Sequence, residues 1–512
     1  MTSILPGPAK VIMILTRILI AAAIFHFASR TYVDTDLWWH LKVGIDLWQS
    51  KIITTHDPYS FLTFNSHWID EEWLFELIIA YIYLHFGWLG LVLFKAFLSL
   101  SILALIFPLL KEWELDDFGK GVFLLLLAIF LSPAINTVRP HIASCLFLTI
   151  LLLLLRNFPK YQRRLFLLPF IFLLWVNMHG GFIVGLLTLL TYSAIYTFLN
   201  PSIELRNSKI FLWAITLICW LTSLVNPYGV ELPMLVLKLC VTPHPDISEW
   251  QPVELASNLG ILWATIVTLG ILSLNLYKGP SSLSRILVWF PFAAAPLISL
   301  RHLPFFDIAT VSLIGEHLAF MWNTFRPKRP IITSQWRIID IAFALASIGV
   351  AFWLITYSLQ FYLKPHIVVN QDVPEAAVGL LKRAGVKGNL IVDFDWGGYA
   401  IWNLFPDIKV SFDGRREFAY SPAATLANIV FTSGEGPWDY LLSHFPIDAV
   451  LTHKRCASYN LMNLKPGWKL AYDDGIAVIF LPVNSPKLSQ LRCILSQIPI
   501  EKQAKQLSLP VF

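Results

Sequence analysis

The sequence predicts an α-helical polytopic membrane protein of about eleven transmembrane helices, followed by a C-terminal extracytoplasmic α/β domain. Three observations predict it. Apolar residues fill 56% of the 512 positions and charged residues only 14%, against about 25% charged in ordinary globular proteins. Apolar runs close to the ~20 residues of a bilayer crossing recur as far as residue 358 and then stop. Basic residues favour every second loop between those runs, as the positive-inside rule requires. A chain of this composition cannot cover itself with polar surface, so its first partner is the lipid bilayer. A soluble enzyme, a disulfide scaffold and a nucleic-acid binder are excluded, the net charge of +5 reporting topology instead.

Candidate spans are 11–29, 88–110, 121–137, 141–156, 165–178, 182–199, 210–225, 259–277, 284–300, 303–322 and 338–358. The first has no small-residue cleavage site after it and reads as an uncleaved span. The run 73–86 is apolar but reaches only ~21 Å as a helix, short of the ~30 Å hydrocarbon core. Glu76 and His85 interrupt it and Gly87 ends it, so it reads as a helix lying in the interface. With the N-terminus inside, fifteen Lys and Arg fall in cytoplasmic loops and five on the opposite side, Arg30 standing at the boundary. The expected location is the cytoplasmic (inner) membrane, with the N-terminus cytoplasmic and the C-terminal part outside.

Residues 1–358 then form the transmembrane domain, whose first outer loop, 30–87, holds the acidic motif, and 359–512 form the outer domain. Leu390–Asp395, Val410–Asp413, Ala449–Thr452 and Ala477–Leu481 read as buried strands, and Asp372–Ala384 and Pro437–Phe445 as helices. Of five cysteines, Cys456 and Cys493 share this domain and would be able to pair in an oxidising compartment.

The densest unusual chemistry is Val33-Asp34-Thr35-Asp36-Leu37-Trp38-Trp39-His40, just after the first span. Two carboxylates at i and i+2 can serve as a general base or help hold a divalent cation. Equally, they can cap the helix that the spacing of Leu37, Leu41, Ile45 and Trp48 predicts. Asp70-Glu71-Glu72 places further carboxylates before the interfacial helix. Arg139, His141, His179, Arg301 and His302 fall at outer ends of spans, where they bind an anion or anchor at the headgroups. Asn177 and Asn226 end their spans, the following glycines supplying a left-handed turn. In the outer domain Trp396 can stack on a sugar, while Asp413 and Arg415 either contact an acceptor or pair to pin two loops. There is no GxSxG, HExxH or Walker motif.

The motifs Asp36-Leu37-Trp38-Trp39-His40-Leu41, Asp57-Pro58-Tyr59-Ser60-Phe61 and Glu72-Trp73-Leu74 follow the first span in order. Trp175-Val176-Asn177-Met178-His179-Gly180-Gly181, Asn226-Pro227-Tyr228-Gly229 and Phe412-Asp413-Gly414-Arg415 come later. The whole layout resembles the GT-C superfamily of membrane glycosyltransferases, which includes lipid A aminoarabinose transferases and protein O-mannosyltransferases. That resemblance implies transfer of a sugar from a polyprenyl-phosphate-linked donor to an envelope glycan, lipid or protein acceptor. Asp34 and Asp36 match the first-loop acid, with Asp-Thr-Asp standing where O-mannosyltransferases have Asp-Glu. Which carboxylate does what, and whether a divalent cation joins them, stay open. His40, Glu72, Arg139, His141, His179, Arg301 and His302 become substrate-binding candidates, and Trp396, Asp413 and Arg415 acceptor-binding ones. A flippase for lipid-linked saccharide and a non-catalytic envelope-assembly protein are the alternatives. A flippase predicts internal repeats and charges near the bilayer midplane, and neither is seen in the sequence.

Overall fold

A computed structural model describes residues 8–31, 34–242, 247–326, 338–363 and 373–497. Val33 and the basic residues Lys328, Arg329 and Arg337 lie outside these stretches, as does the expected start of a helix at Asp372. The chain divides into two compact units. One, the helical unit, comprises Met1–Thr31 and Leu89–Lys364; the other, the mixed unit, comprises Tyr32–Trp88 and Pro365–Phe512. The segment Tyr32–Trp88 thus belongs to the same compact unit as the C-terminal part.

In the helical unit each expected span falls on helix. Trp73–Glu112, Asp117–Ile135, Phe182–Leu199, Asn258–Leu276 and Leu300–Phe325 are long and apolar enough to cross a membrane, the first by virtue of its second half. Ile14–Ser29, His141–Arg156, Leu283–Leu297 and Leu345–Leu359 are shorter apolar helices. Trp73–Glu112 is two helices joined at Gly87, whose φ of 58° and ψ of −153° leave the helical region. Only glycine takes that conformation without strain, so the run 73–86 does end where its sequence says. Two interhelical bonds show how Ser and Thr are used inside: Ser193 shares a 2.9 Å hydrogen bond with Thr216, and Trp289 Nε1 donates to Thr310 Oγ1 at 2.9 Å.

The mixed unit is built on a five-stranded sheet: β1 (Gly388–Val392), β2 (Ile408–Val410), β3 (Ala449–His453), β4 (Trp468–Asp473) and β5 (Ala477–Pro482). The order is β2-β1-β3-β5-β4. β1 runs parallel to β2 and β3, while β5 runs antiparallel to β3 and β4. β4 has no counterpart in the sequence reading, because only Ala471 and Tyr472 of its six residues are buried and Lys469 and Asp473 are exposed. Ile391, Phe431, Leu441, Val450, Met462, Val478 and Phe480 form the core on one side. Cys456 and Cys493 are not bonded to each other.

The first loop is joined to this sheet by backbone. Phe61 N donates to Val410 O at 3.1 Å and Val410 N to Tyr59 O at 3.0 Å, so the loop extends the β2 edge by one bridge. Trp38, on the helix Leu37–Ser50, packs edge-on against Tyr399, 5.1 Å between ring centres. The glycine pair of the helix Phe394–Leu404 makes room for both neighbours. A Cβ on Gly397 would lie 1.9 Å from the Phe412 carbonyl oxygen, and one on Gly398 2.7 Å from that of Thr35.

Candidate functional site

Asp34 and Asp36 hold different offices at the start of Leu37–Ser50. Asp34 Oδ1 accepts hydrogen bonds from the backbone N–H of Asp36 (2.9 Å) and Leu37 (3.1 Å). It therefore satisfies donors that the first helical turn leaves open. Asp36 occupies the N-cap position but makes no capping bond with its side chain. Its Oδ1 instead accepts from Trp39 Nε1 at 3.3 Å and lies against Gly414, where a Cβ would come within 2.0 Å of it. Both carboxylates are only partly buried. The capping role falls to Asp34, while the Asp36 side chain is turned toward Trp39.

One helical turn further on, His40 Nδ1 lies 2.8 Å from Glu76 Oε1 and 3.6 Å from Glu72 Oε2. Their donor atoms all lie within 4.8 Å of one another, the one group of three or more cation-capable donors among the described residues. Asp34 and Asp36 are not part of it, so the geometry places cation-holding capacity a turn away from the DxD motif. Sequence reasoning took Glu76 only as an interruption of an apolar run. The usable signal was its spacing from Glu72, since residues four apart share a helix face.

Arg415 is wholly buried, as are its partners. Nη1 reaches Asp57 Oδ1 at 2.6 Å, Nε reaches Asp413 Oδ1 at 2.8 Å and Nη2 reaches Asp413 Oδ2 at 2.7 Å. The guanidinium also lies 5.0 Å from the Tyr59 ring centre and 4.9 Å from that of Trp68. Burial alone would lower its pKa, but the Asp413 and Asp57 carboxylates raise it well above the ordinary value. Asp413 and Arg415 thus tie the first loop to the C-terminal part, with no side-chain surface left for an acceptor. Trp396, 2% exposed, stacks on His453 at 5.4 Å. It lines a cavity of about 210 Å³ beyond the ends of β1 and β3. Beside it Asp393 is pushed up to about 6 by burial, against hydrogen bonds from His453 N and Thr452 Oγ1.

The remaining candidates gather in the helical unit. Arg139 Nη1 pairs with Glu249 Oε1 at 3.0 Å, and the Arg301 guanidinium lies 4.9 Å from the Trp250 ring centre. Burial works to raise the Glu249 pKa, yet the charges of Arg139 and Arg301 hold it below the ordinary carboxylate value. The segment carrying Glu249 and Trp250 is docked by Leu300 N to Gln251 O (2.8 Å) and Ser299 Oγ to Glu249 O (3.1 Å). His141 and His179 stack with ring centres 5.5 Å apart, and His302 Nδ1 meets Ala295 O at 3.2 Å. His179 Nδ1 accepts from Gly181 N–H at 3.0 Å and sits 2.7 Å from Ser144 Oγ, which itself accepts from Trp175 Nε1 at 2.6 Å. The network therefore assigns the neutral ring's proton to Nε2. Asn177 and Asn226 bond backbone carbonyls at their helix ends. The glycines after them differ from expectation: Gly229 is left-handed at φ 57°, but Gly181 has φ −58°. Gly181 is required for space, since its Cβ would lie 2.4 Å from Ser144 Oγ.

No protein-family model matches the sequence, and no curated protein matches it. Solved structures do. An oligosaccharyltransferase, AglB from Archaeoglobus fulgidus, in complex with an inhibitory peptide and a dolichol-phosphate, aligns with a TM-score of 0.55. The alignment covers 94% of this chain and 74% of that one at 12% identity. ArnT from Cupriavidus metallidurans, bound to undecaprenyl phosphate, aligns with a TM-score of 0.51 over 92% of this chain and 98% of that one, at 13% identity. The chain shares the fold of these two solved structures.

Proposed function

We propose that the protein is a glycosyltransferase that moves a sugar from a polyprenyl-phosphate-linked donor to an envelope acceptor at the outer face of the cytoplasmic membrane. The observation that carries this reading is a GT-C fold spanning more than nine-tenths of the chain, with Asp36 at the first-loop acid position and its side chain not spent on capping. AglB and ArnT were each solved with a polyprenyl phosphate of the dolichol or undecaprenyl type. In the proposed step the acceptor hydroxyl oxygen attacks the anomeric carbon, its proton passes to the Asp36 carboxylate, and the sugar–phosphate bond breaks with its electrons on the phosphate. Asp34 holds the helix start that presents Asp36. In the helical unit, the guanidiniums of Arg139, beside Glu249, and Arg301, beside Trp250, are the groups suited to a phosphate. Eleven spans, a cytoplasmic N-terminus and an outer C-terminal domain complete the reading, resting on the basic-residue asymmetry.

The test is transfer from a polyprenyl-phosphate sugar in proteoliposomes, wild type against Asp36→Asn. Asn keeps the size and can still accept from Trp39 Nε1, but removes the basicity. General-base contributions run to about 10²–10⁴-fold, so a loss of at least about 10²-fold is expected. Full activity in the variant overturns the assignment of Asp36. A reporter fused after Lys160 should be active only inside and one after Pro365 only outside; both on one side would overturn the span count.

A further inference from the structure

We propose that His40, Glu72 and Glu76 form a binding site for one divalent transition-metal ion of the zinc type, held between the helices Leu37–Ser50 and 73–86 of the mixed unit. The site is built by a close helix approach. A Cβ on Gly44 would lie 2.1 Å from the Glu76 carbonyl oxygen and 2.9 Å from the Ala80 side chain. Any larger residue would push the helices apart there. One turn before Gly44, the same approach sets His40 against Glu76, while Glu72, four residues earlier, stands on the same face.

The distances suit a metal. Tetrahedral zinc binds His nitrogen and carboxylate oxygen at about 2.0–2.2 Å, which puts neighbouring ligand atoms about 3.3–3.6 Å apart. His40 Nδ1 lies 3.6 Å from Glu72 Oε2 and 2.8 Å from Glu76 Oε1, so little movement is needed. Three protein ligands leave a fourth position for water or another oxygen. An imidazole among them favours a transition metal over magnesium or calcium.

A second observation points to a ligand independently. Glu76 is fully buried and shares a side-chain hydrogen bond with Asp70, another buried acid, while no N–H reaches its Oε2. Burying two acids side by side costs stability. The nearby buried cation, Arg415, is committed to Asp57 and Asp413. A divalent ion would supply the positive charge that balances these buried acids. It would also steady the turn carrying Asp36. His40 stacks on Trp39, ring centres 3.7 Å apart, and the Trp39 indole reaches Asp36. His40 is in this sense a positioning residue, and the metal site stands or falls without reference to transfer activity.

The experiment strips the full-length protein in detergent with a chelator, then adds Zn²⁺ and measures bound metal by mass spectrometry alongside thermal unfolding. One zinc per chain and a higher unfolding temperature are expected. Glu72→Gln, at a partly exposed position, should weaken zinc affinity by more than about tenfold, at least what a lost supporting partner costs, without changing the melting of the stripped protein. His40→Ala should abolish binding. Failure to bind stoichiometric zinc, or zinc binding that neither variant alters, overturns the proposal. It would leave a protonated His40 paired with Glu76, or a proton shared between Glu76 and Asp70.

Discussion

The arginines of the two units are used in opposite ways. Arg415 of the mixed unit is one cation among two carboxylates, all three without exposed surface. Arg139 and Arg301 of the helical unit are two cations against Glu249, with Arg139 about a fifth exposed and Glu249 about two-fifths. The first arrangement is closed, because every strong donor of the guanidinium already has its acceptor. The second is partly exposed at both Arg139 and Glu249. Exposure, rather than residue type, separates an arginine that holds the fold from one able to hold a ligand.

The largest effect expected from this contrast is on Arg415. Removing one partner of a buried ion pair costs about 3–5 kcal/mol, so Arg415→Ala should lower the thermal stability of the purified protein sharply. Asp413→Asn should do nearly as much, by stranding part of the guanidinium. A melting temperature unchanged in both would break the comparison. Arg139→Ala and Arg301→Ala should instead leave melting nearly unchanged and weaken binding of a polyprenyl-phosphate sugar. Charge-assisted hydrogen bonds are worth roughly 1.5–3 kcal/mol each, or about 10–100-fold in affinity, with Arg→Lys restoring only part because the planar fork is lost. Equal donor affinity in wild type and both Ala variants would return these residues to headgroup anchoring. The smallest effect should come from Asp34→Asn. Asn accepts the same two backbone bonds, so stability should fall by less than about 1 kcal/mol and transfer by far less than in Asp36→Asn. A larger loss in transfer would move the base role to Asp34.

Much of the helical unit is legible because its signal is local. Apolar runs become helices, and Asn226 with Gly229 ends one of them. The Asp34–Asp36 pair was half legible. Spacing alone allowed capping or chemistry for either residue, and only the bonds from Asp36 N and Leu37 N assign capping to Asp34. The mixed unit was less legible because its signals are distant. Nothing near Glu76 says that Gly44 lets another helix touch it. β4, with its half-exposed face, lacks the continuous apolar run that marks β3 and β5. The helices Pro422–Ser433 and Ala457–Leu464 were missed as well, their apolar faces being defined by the sheet they cover.

The Arg415–Asp57 bond spans 358 residues of sequence, and this bears on how the chain is made. At about 5–20 residues per second, the ribosome needs roughly 20–70 s after finishing Asp57 before Arg415 exists. Throughout that interval the nascent first loop carries its acids without the cation that will neutralise them, and without the β2 edge that Tyr59 and Phe61 will join. The segment bearing Asp36 is synthesised well before the partners that complete it. Release of a chain truncated before Arg415 would therefore yield inserted helices with an unfinished loop, a product that quality-control proteases should recognise.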